Sequence, residues 1–306
     1  KEIPLHYAAN NGQINVIKLL MMNGANVNAL NEDDHSPLYR AVVSYSNEVK
    51  VPMMLELVCG GARIDENSIS LDESGVLQKV VVSRSEFWET SRAPEDVFRA
   101  KCAAYPDAFV YLFSHDVAGV WIGATPEALL IRAGDHFGTT ALAGTKADGR
   151  RDWTEKERHE QELVADFIEQ NVRHRNASEV TIGEARSMTY GSLQHLQSNI
   201  TFRSEKDVEF WLEALHPTPA VGGTPRDKAL DFIAEHEAGD RTYYTGFLGT
   251  IEGDRAAFYV NLRCMQCFAN GFRLFAGGGI VEGSDPAKEW NETRDKIESI
   301  RAGIGA

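Results

Sequence analysis

Pro4-Leu5-His6-Tyr7-Ala8 returns 33 residues later as Pro37-Leu38-Tyr39-Arg40-Ala41, and the motif does not occur again in the 306-residue chain. A period of that length marks a stacked helical repeat, whose units bury their apolar faces only against one another. Both units run on into an apolar stretch and a turn, NVIKLLMMNGANVNA in the first and VPMMLELVCGGARIDE in the second. Gly24-Ala25 returns as Gly61-Ala62, so the second unit carries four additional residues, placed most easily around Ser44 to Lys50. Roughly three units are needed for a stable stack. Two cannot organise the whole chain, and the remainder must build a core of its own.

From about Leu71 strands and helices alternate. LQKVVVSR reads as a strand, Pro94 to Tyr105 as a helix, and FVYLFSHDVAGVWIGAT as two strands turning near Asp116 to Gly119. A long helix from Glu155 to His174 and a helix from Pro225 to Glu237 follow, with the hairpin YYTGFLGTIEGDRAAFYVNLRC, the strand LFAGGGIV and a last helix from Pro286 to Ile300. The expected organisation is an all-α repeat segment over 1–69 and an α+β domain over 70–306, and 43% hydrophobic content can fill the latter's core.

A net charge of −14 excludes non-specific binding to nucleic acid or to anionic membranes. The sequence holds no apolar run of the ~18 residues that a membrane span needs and no leader-like N-terminus, so a cytoplasmic protein is expected. Cys59, Cys102, Cys264 and Cys267 are too scattered for a disulfide framework. Cys264 and Cys267 form a C-x-x-C, but they sit in a strand before the turn Asn270-Gly271 and read as ordinary strand cysteines.

Two helices carry carboxylates where apolar residues belong. Thr154 and Glu157 form a capping box that fixes the start of the first. Leu163, Val164, Phe167 and Ile168 then make an apolar stripe with Glu160 in its middle. A lone buried carboxylate costs several kcal/mol, so Glu160 must be paired, protonated or metal-bound. In the last helix, capped by Ser284 or Asp285, Trp290, Ile297 and Ile300 make the expected buried side, while Glu289, Glu292 and Lys296 run along its border. A solvated charge stripe is the ordinary reading of that spacing. Joined to Gly277-Gly278-Gly279, which lets backbone N–H groups approach an anion, it points to a carboxylate-bearing ligand held partly through Mg²⁺. Taken alone, Lys79 reads as an exposed strand lysine and Glu127 as an ordinary turn carboxylate.

The first segment resembles ankyrin repeats, which implies a protein partner and no chemistry. KVVVSR, GATPEALL, ALAGTK, ERHEQELV, HPTPAVGGTP, RTYYTGFLG, YVNLRC and LFAGGGIVEGSDPAKEWNETRDK, in that order, resemble the chorismate-utilising enzymes, which include isochorismate, salicylate, anthranilate and aminodeoxychorismate synthases. The resemblance implies an anthranilate synthase component I-like α/β sandwich, truncated at its N-terminus, with the ankyrin-like segment in place of the family's first strands. It implies Glu160 and Glu292 as Mg²⁺ ligands. It also implies a chorismate pocket of Gly144, Thr145, His195, Tyr244, Arg263, Gly277 and Lys296, with Arg263 and Tyr244 on the enolpyruvyl carboxylate. Moving a hydroxyl from C4 to C2 needs a base for water and an acid for the departing group, and the resemblance assigns these to Lys79 and Glu127.

Lys79 stands where anthranilate and aminodeoxychorismate synthases typically have glutamine, and Ala143 where the latter carry a nucleophilic lysine. Ala220 replaces a threonine usual in salicylate synthases. The expectation is an isochorismate synthase serving menaquinone, siderophore or salicylate routes. The alternatives are a non-enzymatic ankyrin module fused to an inactive synthase remnant, and a salicylate synthase.

Overall fold

The computed structural model of the protein describes residues 3–33, 35–44, 77–147, 152–237, 239–282 and 284–302. The first segment holds α1 (Pro4–Asn10), α2 (Ile14–Met22) and α3 (Pro37–Ser44). Pro4 opens α1, where its missing N–H would have been unpaired in any case. Leu5, Ala8 and Ala9 close over Ile17, and Leu38 and Ala41 of α3 complete the cluster, so the second occurrence of the motif packs on the first. His6 Nε2 bonds the His35 carbonyl at 2.9 Å and ties the two units together. The second unit's apolar stretch, Gly61-Ala62 and Cys59 lie outside the described residues.

The remainder is built on two sheets. The first runs in the order β2 (Phe109–His115), β3 (Gly119–Thr125), β12 (Cys264–Phe268), β13 (Gly271–Val281), β1 (Lys79–Glu89) and β9 (Gly223–Thr224). The second runs β10 (Phe247–Glu252), β11 (Arg255–Val260), β4 (Ala128–Ala133), β5 (His136–Ala147), β8 (Leu193–Arg203) and β6 (Ser178–Ile182), with β7 (Arg186–Tyr190) also paired to β8. Every pairing is antiparallel. β1 and β13 pair along their whole length, from Lys79 opposite Val281 to Glu89 opposite Gly271, which fixes the glycine run against the strand that Lys79 opens.

Helices cover these sheets. α4 (Pro94–Ala104) packs on β2 and β3, α5 (Glu155–His174) on β5 and β8, and α6 (Val208–Leu215) on β4. α7 (Arg226–His236) lies on β1, and α8 (Pro286–Ala302) on β13 and β5. Val164, Ile168 and Val172 of α5 join Phe137, Phe202 and Trp211 in the core of the second sheet. Ile297 and Ile300 of α8 join Val97, Ile122 and Phe272 under the first. The capping box holds as expected, with the Thr154 N–H and hydroxyl both donating to Glu157, at 2.9 and 3.1 Å.

Two details differ from the sequence reading. Leu163 and Phe167 border the α5 stripe, whose buried positions are Glu157, Glu160, Gln161, Val164, Ile168 and Val172. Trp290 is 44% exposed, with the Arg84 guanidinium over its ring at 4.4 Å, while Glu289 turns inward. Hydrophobicity assigned the inside of α8 to the indole; a carboxylate occupies it instead.

Candidate active site

Three carboxylates and three lysines meet where α5, α8, β1 and β13 converge. Lys79 is fully buried, and its ammonium lies 3.1 Å from Glu160 Oε1. One turn earlier on α5, Lys156 reaches Glu160 Oε2 at 3.6 Å and Glu289 Oε1 of α8 at 2.7 Å. Lys296 pairs with Glu292 at 2.7 Å and donates to the Gly277 carbonyl at 2.8 Å. Buried Glu160 is thus paired by two lysines. Burial pushes its carboxyl up, but Lys79, Lys156 and Lys296 together hold it below the usual carboxylate range. Burial raises Glu289, Lys156 offsets part of that, and the charges of Glu292 and Glu160 add to it. Glu289 Oε2 is buried without a hydrogen-bond partner. Space here is tight: a Cβ on Gly279 would overlap Glu160 Oε1 and stand 3.0 Å from Lys79 Cε.

Across the cleft, Glu127 sits between β3 and β4, 1% exposed, and is no surface turn residue. Burial pushes its carboxyl up to about 8, against the opposing charges of Lys79 and Lys296, and its Oε2 has no partner. The group therefore holds a proton at neutral pH.

A β-bulge builds the next part of the wall. The β5–β8 register skips Gly144, which lies between the Ala143–Leu196 and Thr145–His195 pairs with φ +67°. This turns the Gly144 carbonyl inward to accept from His195 Nδ1–H at 3.1 Å, with the Thr145 hydroxyl 3.3 Å from the same nitrogen. His195 Nε2 then accepts from Arg263 at 2.6 Å. Burial and the Arg263 charge keep the imidazole neutral, well below the ordinary histidine range. Arg263, in the left-handed region at φ 48°, also donates to the Tyr190 carbonyl at 2.9 Å. Among the described residues it pairs with no carboxylate, and burial brings it down to about 10. A half-buried guanidinium fixed by neutral acceptors is a ready anion site.

Tyr244 stacks on Phe275 at 5.6 Å, and its hydroxyl faces Gly277. Its turn is clasped to β1 by Arg241, which pairs with Glu237 and donates to the Val81 carbonyl at 2.7 Å, while Glu237 accepts from the Ser83 N–H and hydroxyl. The far end of α8 is pinned as well. Buried Lys101 donates to the Ile300 carbonyl and the Tyr105 hydroxyl to that of Ser299. Burial first, and then Arg263, bring the Lys101 ammonium down to about 7.

Glu127, Glu160, Gly144, Thr145, His195, Ala220, Tyr244, Arg263, Gly277 and Lys296 all line one cleft. Lys79 reaches it through Glu160, and Glu292 through Lys296. Lys156 escaped the sequence reading, which placed Glu289 on the border of α8 and not inside it; the i, i+4 spacing of Lys156 before Glu160 was the available signal. Cys264 and Cys267 are free and lie on β12, as expected of strand residues.

The profile of a family described as chorismate binding enzyme matches residues 64–305. The chain belongs to the chorismate-binding enzyme family. Residues 2–32 match the ankyrin repeat. The chain is 34% identical over 196 residues to the isochorismate synthase EntC of Escherichia coli, covering 60% of this chain and 50% of that protein. With the salicylate biosynthesis isochorismate synthase of Pseudomonas aeruginosa it shares 39% over 203 residues, or 61% and 42% of the two chains. The structure of MenF, the menaquinone-specific isochorismate synthase of E. coli, superposes with a TM-score of 0.68 at 31% identity, over 75% of this chain and 57% of the other. Anthranilate synthase component I of Streptococcus pneumoniae shares the fold, with a TM-score of 0.65. The chain spans about half the length of the curated relatives it matches. Among the described residues no group of three or more His, Cys, Asp or Glu side chains is arranged to hold a metal ion; what the carboxylates of α5 and α8 offer is oxygen donors, of which Glu289 Oε2 is buried and unpartnered, the kind a hard divalent cation takes. No described helix is long and apolar enough to cross a membrane.

Proposed function

We propose that the chain isomerises chorismate to isochorismate with Mg²⁺. The observation that carries this reading is buried Glu127, its Oε2 unpartnered, sharing one cleft with Glu160, the ion-pair partner of buried Lys79, and with a guanidinium that no described carboxylate pairs. Glu160 and Glu292 would hold the metal, with Glu289 beside them; when bound, it supplies positive charge to the substrate's ring carboxylate. Arg263 and Tyr244 take the enolpyruvyl carboxylate, the guanidinium fixed by His195 and the Tyr190 carbonyl. Glu127, already protonated near neutral pH, gives its proton to the hydroxyl leaving C4. Lys79, 3.1 Å from Glu160, is the residue assigned to take the proton of the water that attacks C2. Gly144, Thr145, Gly277 and Lys296 shape and charge the floor of the pocket.

Ala220 places a methyl group in the cleft, which supports release of isochorismate before any pyruvate elimination. The ankyrin-like segment serves a protein partner. Pure protein given chorismate and Mg²⁺, followed by ¹H NMR, tests the reading. Isochorismate is expected. Salicylate with pyruvate would assign the second-step enzyme, and unchanged chorismate would leave an interaction module built on a catalytically silent fold.

A further inference from the structure

Lys156 is the one lysine that, among the described residues, touches carboxylates of both α5 and α8. Glu160 has a second cation in Lys79, and Glu292 has Lys296. Glu289 has Lys156 alone, and its other oxygen is buried and unpartnered. We propose that Lys156 is an internal counter-cation of this three-carboxylate cluster, which a divalent ion must displace from between Glu160 and Glu289 in order to bind. The proposal rests on the metal reading above and adds a control on it.

Two observations support displacement. The Lys156 side chain is 22% exposed whereas that of Lys79 is fully buried, so only the former has a path outward on its flexible stem. Without any cation the two buried carboxylates, with half-buried Glu292 beside them, would repel one another, which makes Lys156 the stabiliser of the metal-free form.

The test is Mn²⁺ titration of the full chain by electron paramagnetic resonance, alongside thermal unfolding in chelator and in saturating Mn²⁺. Lys156→Met should bind Mn²⁺ roughly tenfold more tightly than the parent, because no cation has to leave. Lys156→Gln, which keeps a hydrogen bond to Glu289 without the charge, should behave alike. In chelator both variants should melt below the parent, and saturating Mn²⁺ should remove the difference. Equal or weaker Mn²⁺ binding by the variants, or a melting deficit that Mn²⁺ leaves in place, would show a structural lysine and overturn the proposal alone. Failure of all three proteins to bind Mn²⁺ would overturn the metal reading, and this proposal with it.

Discussion

Gly279→Ala is a one-carbon probe of the site. The added Cβ would overlap Glu160 Oε1 and press on Lys79 Cε at 3.0 Å, so the carboxylate or the strand beneath it must move. Overpacking of this kind costs about 1–3 kcal/mol. For a domain of this size that lowers Tm by roughly 2–12 °C, at ~2–4 °C per kcal/mol. The catalytic effect should be larger, since displacing an active group by ~1 Å costs on the order of 100-fold in rate. The control is its neighbour: a Cβ on Gly278 meets nothing nearer than Thr293 Cγ2 at 3.5 Å, an ordinary contact, so Gly278→Ala should leave both quantities close to the parent. Calorimetry gives Tm, and turnover of chorismate at saturating Mg²⁺ gives kcat. A Gly279→Ala protein with parental Tm and kcat would mean that Glu160 and Lys79 are not held where the geometry has them.

Glu127→Gln should abolish turnover while leaving substrate affinity within a fewfold, measured as a split between kcat and KM; in the parent, kcat should fall as pH rises through about 8, where the acid loses its proton. The same group ties stability to pH: the folded chain keeps a proton that the unfolded chain releases above 4.5, so its contribution falls as pH climbs from 4.5 to about 8, and the glutamine variant should lose that slope in a pH series of denaturant melts. Lys101 acts in the opposite sense, because its ammonium is proton-poor when folded; between about 7 and 10.5 the unfolded chain binds more protons, so stability should rise with pH there and Lys101→Met should flatten the rise. Arg263→Lys should raise KM for chorismate at least tenfold, since a single ammonium cannot reproduce a guanidinium held by both His195 and the Tyr190 carbonyl; an unchanged KM in steady-state assays would remove Arg263 from anion binding.

Much of the fold was legible because its signals were local. Thr154 and Glu157 fix the start of α5, turn residues mark the hairpins, and the glycine run marks β13 beside the α8 carboxylates. Glu160 stood out because an ionised group in an apolar stripe needs a partner. What the sequence hid depends on long-range geometry. Nothing local distinguishes Glu289 from a solvated residue, and Trp290 looked like the better core side chain until the cluster around Lys156 took the inward face. The Gly144 bulge and the left-handed Arg263, which together set the His195 tautomer, arise from β8 pairing with β5 and from the turn before β12. Lys101, which the sequence reading did not single out, is buried against the end of α8.

Isomerisation by water addition at C2 is tested most directly by running the reaction in H₂¹⁸O and weighing the product. Isochorismate carrying one ¹⁸O, at C2, is the predicted result, with the label lost together with turnover in Lys79→Ala. Unlabelled isochorismate, or undiminished labelling in that variant, would contradict a mechanism in which the buried lysine activates water opposite Glu127.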